Sequence, residues 1–175
     1  VENGGTVTNA SGYIGYASGS TGTATVTGTG SRWVINGILD VGRDGSGTLT
    51  VSNGGTISGA TQALIGAYLG SSGAGTGTVT VTGAGSALYV YGTAWMGAGG
   101  TLTVEKGGYV RTAGVIFYGS GGTLNLLGDA TNGRGVMEIN YLYANSGTVN
   151  FNGGIVRART NMSLFFDSVG MQTIG

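Results

Sequence analysis

The chain has 175 residues, of which 40 are Gly and 8% are charged, and it contains no Pro, Cys or His. Seven Lys and Arg offset seven Asp and Glu, so the net charge is zero and the cations are scattered, which argues against nucleic-acid binding. The lack of Cys excludes a disulfide scaffold and a thiolate metal site, and no apolar run reaches the roughly 18 residues of a membrane-spanning helix.

High Gly content usually signals disorder. In this chain the glycines fall in phase between short apolar strands, so the order lies in their spacing. One phrase, Thr-apolar-Thr/Asn-apolar, sets the phase. Its last slot falls at Val1, where the copy is cut off, and then at Val26, Val51, Val81, Val104, Leu126 and Phe151. The steps are 25, 25, 30, 23, 22 and 25 residues, and Gly precedes every full copy (Gly22, Gly47, Gly77, Gly100, Gly122, Gly147). Side chains alternate between the two faces of a strand, so each phrase has a Val/Leu face and a Thr face. A lone strand of this length buries too little to be stable, whereas stacked copies share a continuous apolar column. A repeat of this period is read as one coil of a solenoid.

Within each coil the elements follow in order. After the phrase comes a turn of one of two kinds. Glu2-Asn3-Gly4-Gly5, Ser52-Asn53-Gly54-Gly55 and Glu105-Lys106-Gly107-Gly108 form one set. Thr27-Gly28-Thr29-Gly30 and Thr82-Gly83-Ala84-Gly85 form the other, so a two-rung super-repeat of about 50 residues is expected. Asn-Gly and Gly-Gly accept positive φ, which suits sharp turns. The competing phosphate-loop reading needs a following helix, and no helical period follows any of these turns.

A second strand comes next: Thr6–Thr8, Arg32–Ile35, Thr56–Ser58, Ala87–Val90, Tyr109–Arg111 and Ile155–Arg157. In one coil it is displaced by the polar stretch Gly128 to Gly135, ahead of Val136–Ile139. A third strand is expected at Tyr13–Tyr16, Ile38–Val41, Leu64–Gly66, Ala94–Gly97, Val115–Tyr118, Tyr141–Tyr143 and Leu164–Phe166. Three strands and three turns per repeat predict a right-handed parallel β-helix. It has about six to seven rungs of 22–30 residues, a single segment spanning 1–175, regular over 1–126 and looser over 127–175.

Several of these phrases have counterparts in a known family. Gly47 to Ile57 (GTLTVSNGGTI), Tyr13-Ile14-Gly15-Tyr16, Leu39-Asp40-Val41-Gly42 and Val81 to Ser86 (VTGAGS) resemble repeats of type V autotransporter passenger domains and of related PEP-CTERM-associated surface proteins. The resemblance implies a segment of a longer bacterial protein, exported through the periplasm and outer membrane and displayed at the cell surface. The parent chain would carry an outer-membrane β-barrel. It implies adhesion, self-association or biofilm formation, with the same protein or a host-surface or glycan receptor as partner. The absence of Cys is consistent with export through an oxidising compartment. A purely structural stalk is the competing reading.

The remaining patterns bear on chemistry and binding. The acids are Glu2, Asp40, Asp44, Glu105, Asp129, Glu138 and Asp167. Polysaccharide-active β-helices need paired carboxylates, and Asp40 and Asp44 flank a Gly turn, yet as turn residues they are expected to be solvated. With no His, a hydrolytic triad is unsupported, and no catalytic residue, cofactor or metal set is expected. Stacked phrases would align Thr48, Thr50, Thr78, Thr80, Thr101 and Thr103 as a binding surface. Such Thr-x-Thr arrays are similar to the ice-binding faces of insect antifreeze proteins, although the uneven rung lengths speak against a regular lattice. Thr on exposed strands also has the simpler explanation of favourable ladder pairing. The irregular loop 67–75, with Tyr68 and Leu69, and the recurring tyrosines Tyr13, Tyr16, Tyr118, Tyr141 and Tyr143 complete the candidates. Trp33, Trp95 and Phe117 are expected to face the core.

Overall fold

A computed structural model describes residues 1–66, 75–119, 121–144 and 146–160, together with the backbone of Phe166–Asp167. The protein is an all-β solenoid whose chain winds round three parallel sheets in strict rotation.

The first sheet stacks β1 (Thr6–Asn9), β4 (Arg32–Ile35), β7 (Thr56–Ala60), β10 (Ala87–Val90), β13 (Tyr109–Arg111), β17 (Val136–Ile139) and β20 (Ile155–Ala158). The second stacks β2 (Gly12–Ile14), β5 (Ile38–Val41), β8 (Gln62–Ile65), β11 (Thr93–Met96), β14 (Gly114–Phe117), β18 (Tyr141–Tyr143) and β21 (Phe166–Asp167). The third carries the Thr phrases on β3 (Thr21–Thr27), β6 (Ser46–Ser52), β9 (Thr76–Thr82), β12 (Gly100–Glu105), β15 (Thr123–Asp129) and β19 (Thr148–Asn152). Leu164 and Phe165 of the last expected third strand lie outside the described residues. The backbone of Val1 bonds to Thr25 and Thr27, which places it beside Val26.

The core is built from files of like residues. In the third sheet Leu49, Val79, Leu102 and Leu124 stack in register, as do Val26, Val51, Val81, Val104 and Leu126, all buried. Ile57, Leu88, Val110 and Met137 face them from the first sheet. Val41, Ile65, Met96 and Phe117 do so from the second. Most strands therefore contribute one or two apolar side chains to a narrow core, and parallel neighbours satisfy their backbone groups.

The two turn types have a structural basis. In the first set of turns Asn3, Asn53 and Lys106 take positive φ (54°, 52° and 49°), followed by Gly4, Gly54 and Gly107. The next rung answers the first two of them with a buried serine. Gly4 N donates to Ser31 Oγ (3.1 Å) and Gly54 N donates to Ser86 Oγ (3.0 Å). The Gly-x-Gly-Ser turn thus covers a backbone donor of the turn beneath it, so the two types alternate.

The uneven rung lengths arise outside the paired registers of the third sheet. The 30-residue step spans the segment between β8 and β9. The polar stretch 128–135 leaves the solenoid as a hairpin, in which β16 (Gly133–Arg134) pairs antiparallel with the end of β15. Neither interrupts the register of the third sheet.

Candidate binding surfaces

The Thr phrases align as two files. Thr23, Thr48, Thr78, Thr101, Thr123 and Thr148 are register partners in succession. So are Thr25, Thr50, Thr80, Thr103, Asn125 and Asn150. Thr48 and Thr78 are exposed, and Thr50, Thr80, Thr101 and Thr103 are half-buried by their neighbours. Strands spaced about 4.8 Å apart, with same-face residues about 6.7 Å apart along each strand, make a flat two-dimensional array. The uneven rung lengths that argued against a regular lattice do not disturb it, because the phrases keep one register from β3 to β19.

The array is cross-linked by side chains at its C-terminal end. Asn125 Nδ2 donates to Thr103 Oγ1 (3.2 Å), and Asn150 Nδ2 donates to Asn125 Oδ1 (2.8 Å). Along one margin Ser52 Oγ donates to Thr27 Oγ1 (3.0 Å) and Thr82 Oγ1 donates to Glu105 Oε1 (3.1 Å). Asn125→Ala removes both amide bonds of its file and is expected to cost about 1 kcal/mol, since neither partner is fully buried. Urea unfolding measures it, and an unchanged midpoint would show that the Asn ladder contributes nothing.

The structure corrects the expectation for Asp40. It is not a solvated turn residue but part of β5, with a side chain only 1% exposed. It lies on the outer side of the second sheet, between the core residues Leu39 and Val41 and in register with Tyr13 and Leu64. Arg43 Nη1 lies 3.7 Å from Asp40 Oδ2, yet neither carboxylate oxygen accepts a hydrogen bond. Asp44 Oδ1 is likewise buried without one. The Arg43 guanidinium sits 5.1 Å from the centre of the Tyr16 ring, which meets Tyr13 edge to face at 4.9 Å. Burial pushes the Asp40 carboxyl up to about 6, against the opposing pull of Arg43 and with a smaller push from Asp44. The two acids that sequence spacing suggested are thus electrostatically coupled, but Asp40 offers almost no surface to a substrate.

The hairpin forms one wall of a cleft of about 300 Å³ lined by Glu105, Lys106, Leu127, Asp129, Asn132 and Asn152 among others. Its acids are already engaged. Asp129 accepts hydrogen bonds from Thr131 N, Asn132 N and Asn132 Nδ2, and the Asn132 bonds hold its carboxyl below the usual range. Glu105 takes Thr82 and the 3.8 Å ion pair with Lys106.

The aromatics divide differently from expectation. Phe117 is in the core and Trp33 packs against that core, its Nε1 donating to Asn9 Oδ1 (2.8 Å). Trp95 does not face the core. Its neighbours Ala94 and Met96 do, and Trp95 lies on the outer side against Tyr118, ring centres 6.0 Å apart. Tyr13 and Tyr16 are exposed. The Tyr141 ring covers Gly114, and its hydroxyl meets Thr93 Oγ1 at 2.7 Å. Tyr68 and Leu69 lie outside the described residues. Strand counting passes over one prominent aromatic, Tyr91, which is 70% exposed. It follows β10 at a corner, where no period marks it.

Among the described residues no three His, Cys, Asp or Glu side chains are grouped to hold a metal ion, and no helix is long and apolar enough to cross a membrane. No family model, curated protein or solved structure matches the chain.

Proposed function

We propose that the chain is a segment of a bacterial surface-displayed solenoid of the autotransporter passenger type, acting in adhesion or self-association. One observation carries this reading: the uninterrupted, in-register Thr/Asn face of the third sheet. Its two files carry no charge, so neither like-charge repulsion nor a costly desolvation of ions opposes contact with a polar surface or a second copy. Each contact is weak, and repetition along a rod and across many displayed copies supplies the avidity.

The test is display of residues 1–175 on a barrel-anchored scaffold, scored by settling of cells alone and mixed with non-expressing cells. Settling of expressing cells, abolished by Thr48→Lys with Thr78→Lys and Thr101→Lys, is the expected result. These positions are exposed or half-buried on the outer face, but three lysines in one file repel across adjacent strands, so circular dichroism checks the fold and the single Thr78→Lys variant is scored beside the triple. Absence of settling and attachment would leave the chain a stalk and remove the adhesive reading.

The regular register also supports a second reading, ice binding by the Thr-x-Thr rows. Thermal hysteresis of the purified chain separates the two, because an adhesive face predicts none.

A further inference from the structure

We propose that the corner between the first and second sheets holds a site for an acidic saccharide, a sugar ring bearing a carboxylate or sulfate. The proposal rests on the adhesive reading only in naming a ligand class for it. Tyr89, Val90 and Tyr91 line a cleft of about 100 Å³ together with Arg111 and Arg159. The residues come from three different rungs. Arg111 is the register partner of Tyr89, while Arg159 follows β20 and is anchored by its backbone N–H to Ile139 O (3.0 Å).

Among the described residues the two guanidiniums are left without acids. Glu138, the register partner of Arg111, is the nearest candidate in the sheet. Its carboxylate is already used, accepting the Tyr109 hydroxyl (2.6 Å) and facing Arg157 Nη1 at 3.9 Å. Burial and that hydrogen bond push the Tyr109 hydroxyl up to about 12, so it stays a neutral donor to Glu138 and does not compete for a ligand. Neither Arg111 nor Arg159 forms an ion pair among the described residues, and Arg159 Nε is buried without a hydrogen-bond acceptor. A buried donor without a partner is costly, and two like charges round one cleft repel. An anion between them removes both penalties, and guanidinium suits planar or tetrahedral oxyanions.

The rest of the site selects what carries the anion. The cleft is well below the size that encloses a whole small ligand, so it accepts one substituent of a larger molecule. Tyr91, 70% exposed at its rim, offers a flat apolar ring with a hydroxyl, a surface on which a sugar ring can stack. A polyphosphate backbone would need a longer cationic track than a chain with seven Lys and Arg and zero net charge provides.

Calorimetric titration of the purified chain at low salt tests this with an oligogalacturonate, a sulfated galactan oligosaccharide, a neutral galactan oligosaccharide and inorganic phosphate. Binding of one or both acidic oligomers and not the neutral one is expected. The preferred oligomer tells carboxylate from sulfate as the source. Arg111→Gln and Arg159→Gln are each expected to weaken binding at least about tenfold, and Tyr91→Ala by a smaller factor. Arg111→Lys and Arg159→Lys keep the charge and control for folding, and are expected to recover part of the loss. Equal binding of the neutral oligomer, full affinity in both Gln variants, or phosphate binding as tightly as the oligomers would each overturn the proposal. Saccharide binding with neither cell settling nor surface attachment would sink the adhesive reading alone, and settling without saccharide binding would sink this site alone.

Discussion

Gly77→Val is expected to be among the most damaging single substitutions in the solenoid, costing more than about 3 kcal/mol. Gly22, Gly47, Gly77 and Gly100 are register partners on adjacent strands, one per rung, at the corner where the chain enters the third sheet. A Cβ at Gly77 would fall against Val41 O at the end of β5 in the preceding rung and against Gly66 N just after β8, both backbone atoms. No rotamer change relieves such an overlap, so two rungs must separate. The core contacts on either side, Leu49 with Val79 and Val79 with Leu102, would part with them. Since rungs touch only their neighbours, the damage is local at first. Hydrogen exchange is expected to lose protection in β6, β9 and β12 before β17 and β20, and the urea midpoint is expected to fall sharply. Thr29→Ser at an exposed turn is the control. A Gly77→Val midpoint close to that control would show that the corner can open without cost.

Much of this architecture is legible in the residues because period and punctuation agree. The Thr phrase has the period-2 pattern of a half-buried strand, and the Gly before it marks the corner that admits no side chain. Stacking follows, since only like rungs bury a four-residue strand. The hairpin is visible only as a polar displacement between Gly128 and Gly135. Its strand β16 is two residues long, too short to show a period, and is defined by pairing with β15.

The outer surfaces are harder to read, for one physical reason. Alternation says which side of a strand a residue occupies, but not what covers that side. Asp40 and Trp95 both point away from the core, as their flanking residues dictate. Composition rules mislead in opposite directions here, placing Asp40 in solvent and Trp95 inside. The Arg43–Tyr16 pair lies beside Asp40, and Tyr118 lies against Trp95. Such contacts are made across rungs and turns and leave no periodic trace. The Arg111–Arg159 cleft is a similar case, because its cations stand nearly two rungs apart in the chain.

Asp40→Asn is expected to stabilise the protein above neutral pH and to leave it nearly unchanged in acid. The Asp40 carboxyl titrates at about 6 in the folded chain, against an ordinary value of 3.8. The folded state therefore holds this proton more tightly than the unfolded state. That contribution is fully present below about pH 3.8, fades between there and about 6, and is absent above. In terms of the ionised form, the wild-type chain buries a charge at neutral pH whose cost Arg43 offsets only in part, on the order of 2 kcal/mol. Asparagine keeps the shape and removes the charge, while Arg43, 31% exposed, retains solvent and the Tyr16 ring. Urea midpoints of both proteins at pH 4 and pH 7.5 measure the effect. The difference between them isolates Asp40, because Asp129, whose shift has the opposite sign, is common to both. A wild-type chain more stable than the variant at pH 7.5 would mean that the Arg43 ion pair outweighs burial. The cluster would then be a structural clasp, and its retained charge would need no other reason. A more stable variant would mean that the fold carries Asp40 at a cost, and would direct attention to the surface that Tyr13, Tyr16 and Arg43 present beside it.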